Sequence, residues 1–310
     1  MKKNILITGV AGMIGSNLLK KIIINTNNNV YGIDNLSLGK ISFIKYKQRN
    51  FSFYKSDLSF EFPKISKKIK FFEEVWLLSA NSDISKGNKN LNVDLNDTFL
   101  SILNTLNKIK SKINKKTKII FTSSSAVYGA SKMILHEKYS KFEPDSNYGI
   151  MKSLAENFIK YFCKKQNCKY RIIRLPNVVG DNLTHGILYD FDKKRKKKNR
   201  IFKVLGNGKQ KKPYAFVSEI VDCMLYINRK VNKNISINIG PNDQGVSVKY
   251  IVNIFFKKFS IKKKISYQKS KKGWEGDIVK YRYSTTLLNR LGFKFKLNSS
   301  QAIKKALEFL

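Results

Sequence analysis

The chain has 310 residues, 42% of them apolar, and 61 lysines and arginines stand against 21 aspartates and glutamates for a formal charge of +40. That length can bury a sizeable core and predicts one α/β unit or two closely packed domains. No apolar run is long enough to span a bilayer, residues 5–7 are too short for a signal peptide, and Cys163, Cys168 and Cys223 lack metal-ligand spacing. A membrane span, a cysteine metal site and a disulfide framework are therefore not expected, and cytoplasmic residence with free thiols is.

In chain order, residues 5–8 read as a short buried strand, 9–15 as a glycine-rich turn and 16–24 as a helix. Strands follow at 30–33, ending at Asp34, then at 51–55 before Asp57-Leu58, and at 75–78, 118–122 and 171–174. Helical patterns cover 94–108 and 146–163. Strands alternating with helices predict an α/β fold with a mostly parallel, doubly wound sheet. After Pro176 the alternation fades, Gly206-Asn207-Gly208 and Gly240-Pro241-Asn242 mark turns, and helices are expected at 248–259 and 299–310. Residues 1–175 are thus expected to form one domain. Residues 176–310 are expected to form mainly a smaller α/β domain over the substrate, with chain exchange between the two allowed.

A strand, Gly9-x-x-Gly12-x-x-Gly15 and a helix make the context of a dinucleotide fingerprint, so the sheet is expected to be of Rossmann type. Gly9 permits the tight turn, Gly12 lets the backbone approach a pyrophosphate, and Gly15 lets the helix pack on the strand. Met13 and Ile14 complete the stretch. Asp34, about twenty residues on, is placed to take ribose hydroxyls and to repel a 2′-phosphate, which predicts NAD rather than NADP, with Asn35 beside it. Asp57, next to Leu58, has two readings, an adenine contact or a helix N-cap.

Tyr148 and Lys152 share a helix face. A lysine ammonium near a phenol favours the phenolate, which predicts a lowered Tyr148 pKa and a general base. Ser124, at a strand's C-terminal end, can bond the same substrate hydroxyl. Ser124, Tyr148 and Lys152 are the expected catalytic residues, and Tyr148 and Lys152 also line the cofactor. His136 and His185 are the only histidines, so no metal site is expected.

With these residues in place, the chain resembles the extended short-chain dehydrogenase/reductase superfamily, and within it the nucleotide-sugar epimerases of the UDP-glucose 4-epimerase type. The resemblance rests on Leu78-Ser79-Ala80-Asn81, on 122–129 (Thr-Ser-Ser-Ser-Ala-Val-Tyr-Gly), on 174–180 (Arg-Leu-Pro-Asn-Val-Val-Gly), on Thr184-His185-Gly186, and on Gly206–Gln210, Gly273–Asp277 and 291–293. It implies that Leu78, Ser79 and Ala80 line the cofactor. It also implies that Asn177, Thr184, His185 and Lys212 join Ser124 around a nucleotide sugar, most simply a UDP-sugar, and that the protein is a homodimer through the helices at 94–108 and 146–163.

Dehydratases of this superfamily carry Asp-Glu before Val-Tyr-Gly, and decarboxylases a glutamate at the second of those positions. Here the pair is Ser125-Ala126. The expected reaction is therefore C4 epimerisation through a transient 4-keto sugar, with a related dehydrogenase, reductase or dehydratase, or a non-enzymatic redox-sensing or polyanion-binding protein, as the alternatives. Two departures stand out. The asparagine of a family Asn-x-x-Gly-Thr motif reads as replaced at Thr98, and a diphosphate-binding arginine near Tyr214 reads as Lys212. Trp274 is expected to stack on a base or to bury its ring.

The charge has a sharp reading, binding to nucleic acid or an anionic membrane surface, and a bland one, drift toward residues with AT-rich codons. Lysines are scattered over loops and exposed faces without interleaved aromatics, so drift is the reading adopted: no specific nucleic acid and no membrane partner is expected. The densest run, Lys193-Lys194-Arg195-Lys196-Lys197-Lys198, reads as a solvated helix end.

Overall fold

The computed structural model describes residues 2–44, 49–66, 68–131, 133–139, 142–273, 277–279 and 281–310. Its centre is a sheet of β1 (Asn4–Thr8), β2 (Asn29–Asp34), β3 (Phe51–Lys55), β4 (Glu74–Leu77), β5 (Lys118–Ser124), β6 (Lys169–Leu175) and β7 (Ile235–Asn238). The strands lie in the order β7-β6-β5-β4-β1-β2-β3, and every pairing is parallel. This is the doubly wound, Rossmann-type sheet that the alternation predicts. The order reverses beside β1, and the C-terminal ends of β1 and β4 there open the crevice in which such sheets hold ligands.

β1, β4 and the middle of β5 are buried on both faces and read as continuous apolar runs, as strands covered on both sides must. One side is filled by α1 (Met13–Asn25) and the helix Val217–Lys230. The other is filled by the segment from Leu91 to Ile109 and by α5 (Asn147–Lys165). A third cluster, with Phe191, Phe202 and Phe255 in edge-on contacts, forms the core of the C-terminal lobe.

Two features depart from the predicted elements. β7 comes from residues 235–238 and pairs with β6, and Arg282–Tyr283 pairs with Ile134–Leu135, so the second half of the chain returns twice to the first. The helix expected at 94–108 is three pieces: α3 (Leu91–Asp94), a π-helical turn (Leu95–Leu100) and α4 (Ser101–Ile109). A π turn holds one extra residue, and a 3.6-residue periodicity does not register it. Among the described residues no helix is long and apolar enough to cross a membrane.

Candidate active site

The glycine turn is fixed by crowding. Gly9 has φ +68°, and a Cβ there would lie 2.7 Å from the Ser79 nitrogen; a Cβ on Gly15 would lie 2.1 Å from the Gly9 carbonyl oxygen. Gly12 is different. A Cβ there would meet only the Gly9 oxygen, at 3.4 Å, so the protein's own packing does not demand glycine, and the space is kept for something outside the chain. α1 begins beside it with no side-chain cap, which leaves its first amides free for an anion. Met13 is buried and Ile14 half-buried in that first turn.

Asp34, at the end of β2, is buried and accepts from Ala11 N at 2.9 Å and Leu36 N at 2.8 Å. Burial pushes its pKa up, and the two amides oppose that. One carboxylate thus ties the glycine turn to the end of β2, with lone pairs left for a diol. Asn35 donates to Asp57 at 3.1 Å, so those two form one polar edge beside the buried Leu58. Asp57 accepts from the amide of Ser59 at 3.0 Å within a turn, and no helix follows for it to cap. Past β4, the Thr8 hydroxyl accepts from Leu78 N at 3.2 Å and Ser79 N at 3.3 Å, which draws the Leu78-Ser79-Ala80 turn against the glycine turn. An uncapped helix start, an unfilled Gly12 and a carboxylate at the end of β2 fit a dinucleotide.

The acid–base group lies at the end of β5. Ser146 caps α5 by accepting from Gly149 N at 3.1 Å, which puts Tyr148 in the first turn and Lys152 one turn on. The Tyr148 hydroxyl faces Ser124, and Ser124 accepts from Ala126 N at 3.1 Å. Lys152 is buried, donates to the Thr122 carbonyl at 2.7 Å and lies 5.6 Å from the Tyr148 ring centroid. The three residues that sequence reasoning selects as catalytic are brought together.

Their electrostatics differ from the expectation. Burial pushes the Tyr148 phenol well above its usual range; Ser124 opposes the rise and Asp94 adds to it. Lys152 is pulled down to about 7 by burial, against the pull of Glu156 and Asp94. The lysine therefore does not lower the phenol's pKa here. Its ammonium is spent on Thr122, and desolvation of the phenolate is the larger effect.

On the substrate side, Asn177 donates to the Pro213 carbonyl at 3.2 Å and to Tyr281 Oη at 3.3 Å. Thr184 is buried and bonds the His185 ring at 3.1 Å. Burial pulls the His185 pKa down, against the charge of Asp83, which stands in the loop before α2 (Ile84–Lys89). Lys212 is ion-paired with the buried Asp277, which also accepts from Gly273 N at 2.8 Å. Trp274 lies outside the described residues. The sequence reading missed Tyr281, which is buried and hydrogen-bonded to Ser125 as well as Asn177. The pair Tyr281-x-Tyr283 was its only local signal. The motif substitution also moves. Counting back from Thr98, which is the motif's threonine, its asparagine position is Asp94. Asp94 accepts from Asn81 Nδ2 at 2.7 Å, while Thr98 accepts from Asn81 N at 3.2 Å.

A sequence model of the NAD dependent epimerase/dehydratase family matches residues 5–240. The chain belongs to that family. It is an enzyme of the family's NAD-linked kind, and NAD is its cofactor. The chain is 26% identical over 314 residues to a putative UDP-glucose 4-epimerase of Methanocaldococcus jannaschii, covering 99% of this chain and 98% of that one. It is also 26% identical over 254 residues to a UDP-N-acetyl-alpha-D-glucosaminuronate decarboxylase of Bacillus cytotoxicus, covering 79% of this chain and 77% of that one. A crystal structure of UDP-galactose 4-epimerase superposes with a TM-score of 0.84 at 25% identity, over 99% of this chain and 98% of the other.

Proposed function

We propose that this member of the family epimerises a nucleotide sugar, a UDP-sugar above all, at C4. The observation that carries the reading is the juxtaposition of Ser124 and Tyr148, with Lys152 behind the phenol ring, on a turn whose neighbours Ser125 and Ala126 bring no carboxylate. Tyr148 takes the proton of the C4 hydroxyl, Ser124 orients that hydroxyl, and Lys152 holds the phenol's surroundings in place. Bound NAD supplies the hydride acceptor and, when oxidised, a positive charge that favours a phenolate. The 4-keto sugar turns in the site and regains hydrogen on its other face. Elimination of water or loss of carboxylate calls for a further acid or base, and the turn after β5 offers none. The names of the relatives at full-length coverage support the substrate class.

In this reading Gly9, Gly12, Gly15, Asp34 and Ser79 hold the cofactor, and Asn177, Thr184 and His185 face the nucleotide sugar. Lys212 approaches the diphosphate only as one half of its pair with Asp277. Residues 1–175, completed by 217–240, carry the cofactor, and most of 176–310 covers the sugar. A homodimer fits the exposed stripe Ile150, Leu154 and Tyr161 along α5, where apolar side chains recur on one helical face.

The test is a panel of UDP-, GDP- and dTDP-sugars with product stereochemistry read by NMR. A C4 epimer formed without net reduction of NAD is expected. A dehydrated or decarboxylated product, or stoichiometric build-up of reduced nicotinamide, overturns the reading.

A further inference from the structure

Asp94 is fully buried, and its Oδ2 has no hydrogen-bond partner; among the described residues no other buried carboxylate oxygen lacks one. Leaving such a group ionised and unsatisfied is costly, so its retention calls for a compensating interaction. Local structure does not need the charge. Asn81 Nδ2 satisfies Oδ1, and an asparagine at this position could accept that bond equally well. The space around the free oxygen is nevertheless specifically kept: a Cβ on Gly87 would lie 1.9 Å from it. Gly87 in turn accepts from Asn147 Nδ2 at 3.2 Å, and Asn88 Oδ1 accepts from Asn147 N at 3.1 Å. The residue after Asn147 is Tyr148. The free oxygen is therefore built against the segment that clamps the first turn of α5.

The charges facing Asp94 are Lys152 on α5, Asp97 on the π turn and Asp83 before α2, and Asp94 in turn faces the Tyr148 hydroxyl. Lys152 faces two carboxylates, Glu156 and Asp94. Glu156, the larger of the two influences, is shared with Arg174 at 2.7 Å. Burial raises the Asp94 pKa against the bond from Asn81, and among the described residues no cation lies within ion-pairing distance of it, so Lys152 is the cation its carboxylate meets.

We propose that Asp94 is a positioning residue of the acid–base group, whose buried carboxylate, held by Asn81 and by the gap at Gly87, keeps the proton on Lys152. In the motif this stretch resembles, the position is a neutral asparagine, so the charge is this chain's own device. The idea deepens the epimerase reading and rests on it for its catalytic meaning. It also has a consequence that needs no turnover: Asp94 raises the affinity of Lys152 for its proton.

The experiment replaces Asp94→Asn and reads Lys152 directly, by NMR of protein carrying 13C at the lysine Cε. The signal that titrates near 7 stands apart from ordinary lysines and is assigned by its loss in Lys152→Arg. In Asp94→Asn the midpoint is expected to fall by about one pH unit, the lower end of the effect of a nearby opposite charge. An unchanged midpoint overturns the proposal. Where the unaltered protein epimerises a sugar, the alkaline limb of kcat/KM is expected to move down with it, with kcat changing more than KM. A protein that turns over no sugar nucleotide sinks the epimerase reading and leaves the midpoint test standing. Should Asp94→Asn fail to fold, 13C at the aspartate carboxyls of the unaltered protein gives a second readout. One signal should bend at the Lys152 midpoint and lose that bend in Lys152→Met, and its absence overturns the proposal.

Discussion

Arg174 and Glu156 form a two-pronged ion pair sealed from solvent: Nε donates to Oε1 at 2.9 Å and Nη2 to Oε2 at 2.7 Å. The pair joins β6 to α5 one turn beyond Lys152. Ser123 adds a bond to Glu156 Oε1 at 2.6 Å, and Arg174 Nη1 donates to Tyr128 Oη at 2.7 Å. Removing one partner strands the other charge in the interior. Glu156→Ala is expected to cost about 3–5 kcal/mol of stability, read from denaturant midpoints. A loss under about 1 kcal/mol, the scale of an exposed ion pair, would contradict the role assigned to the pair.

Tyr148→Phe removes the hydroxyl and keeps the ring. Turnover is expected to fall by about two to four orders of magnitude while NAD binding persists, the usual scale of a lost acid–base group. Near-normal turnover would remove Tyr148 from the mechanism.

Asp34→Ala strips the glycine turn of its bond from Ala11 N and removes the negative charge at the ribose end. Weaker NAD binding and relieved exclusion of NADP are expected, measured by titration with both dinucleotides. Equal affinity of the unaltered protein for both would show that Asp34 does not select.

Lys152 also makes the unliganded protein's stability depend on pH. Its folded pKa, about 7, lies below the ordinary lysine value of 10.5. Between those values the unfolded chain binds the proton and the folded one does not. Burial of the charged lysine therefore costs the fold most below 7, where both states are charged, and that cost is relieved as pH rises from 7 toward 10, so stability climbs through this range. The upward-shifted Tyr148 phenol opposes this only above its ordinary value of 10.0. Chemical denaturation across pH 7–10 should show a rise in the unaltered protein that flattens in Lys152→Met; parallel curves for the two proteins would refute it.

The basic run ends the helix Ile187–Lys196. Lys193 lies 4.3 Å over the Tyr189 ring of its own helix, and Lys194 Nζ donates to the Lys203 carbonyl at 2.9 Å, tying the helix end to the strand Ile201–Val204. Replacing Lys193, Lys194, Lys196, Lys197 and Lys198 with glutamine is expected to leave epimerisation nearly unchanged. Duplex DNA should bind the unaltered protein weakly and lose most of that affinity by about physiological salt. Tight, salt-resistant binding that vanishes in the variant would make nucleic acid a genuine partner.

The sequence is most legible where function depends on short-range spacing. The glycine turn with Asp34, and the serine-bearing strand followed by Tyr148 and Lys152, are local patterns, and the fold assembles each as the spacing implies. What escaped is pairing between distant positions: Glu156 with Arg174, Lys212 with Asp277, Asn81 with Asp94. No periodicity records which buried charge meets which. The π turn hid Asp94 for a related reason. It shifts the helix phase by one residue, so an apolar stripe read at 3.6 residues per turn assigns the acid no partner. The direction of the Tyr148 shift escaped because spacing reports proximity but not desolvation, and here desolvation is the larger effect.

The late arrival of Ile235–Asn238 at the edge of the central sheet has a consequence for synthesis. As the chain leaves the ribosome, β1 through β6 can form a sheet, but the outer edge of β6 stays open until residue 238 has emerged and the helix Val217–Lys230 has crossed over it. That edge, with Ile172, Ile173 and Leu175 set among three basic residues, carries unsatisfied backbone groups, the kind of surface that pairs with other chains when left uncovered. The nascent protein thus passes through an interval of vulnerability to aggregation that a chain broken after Leu175 would never leave.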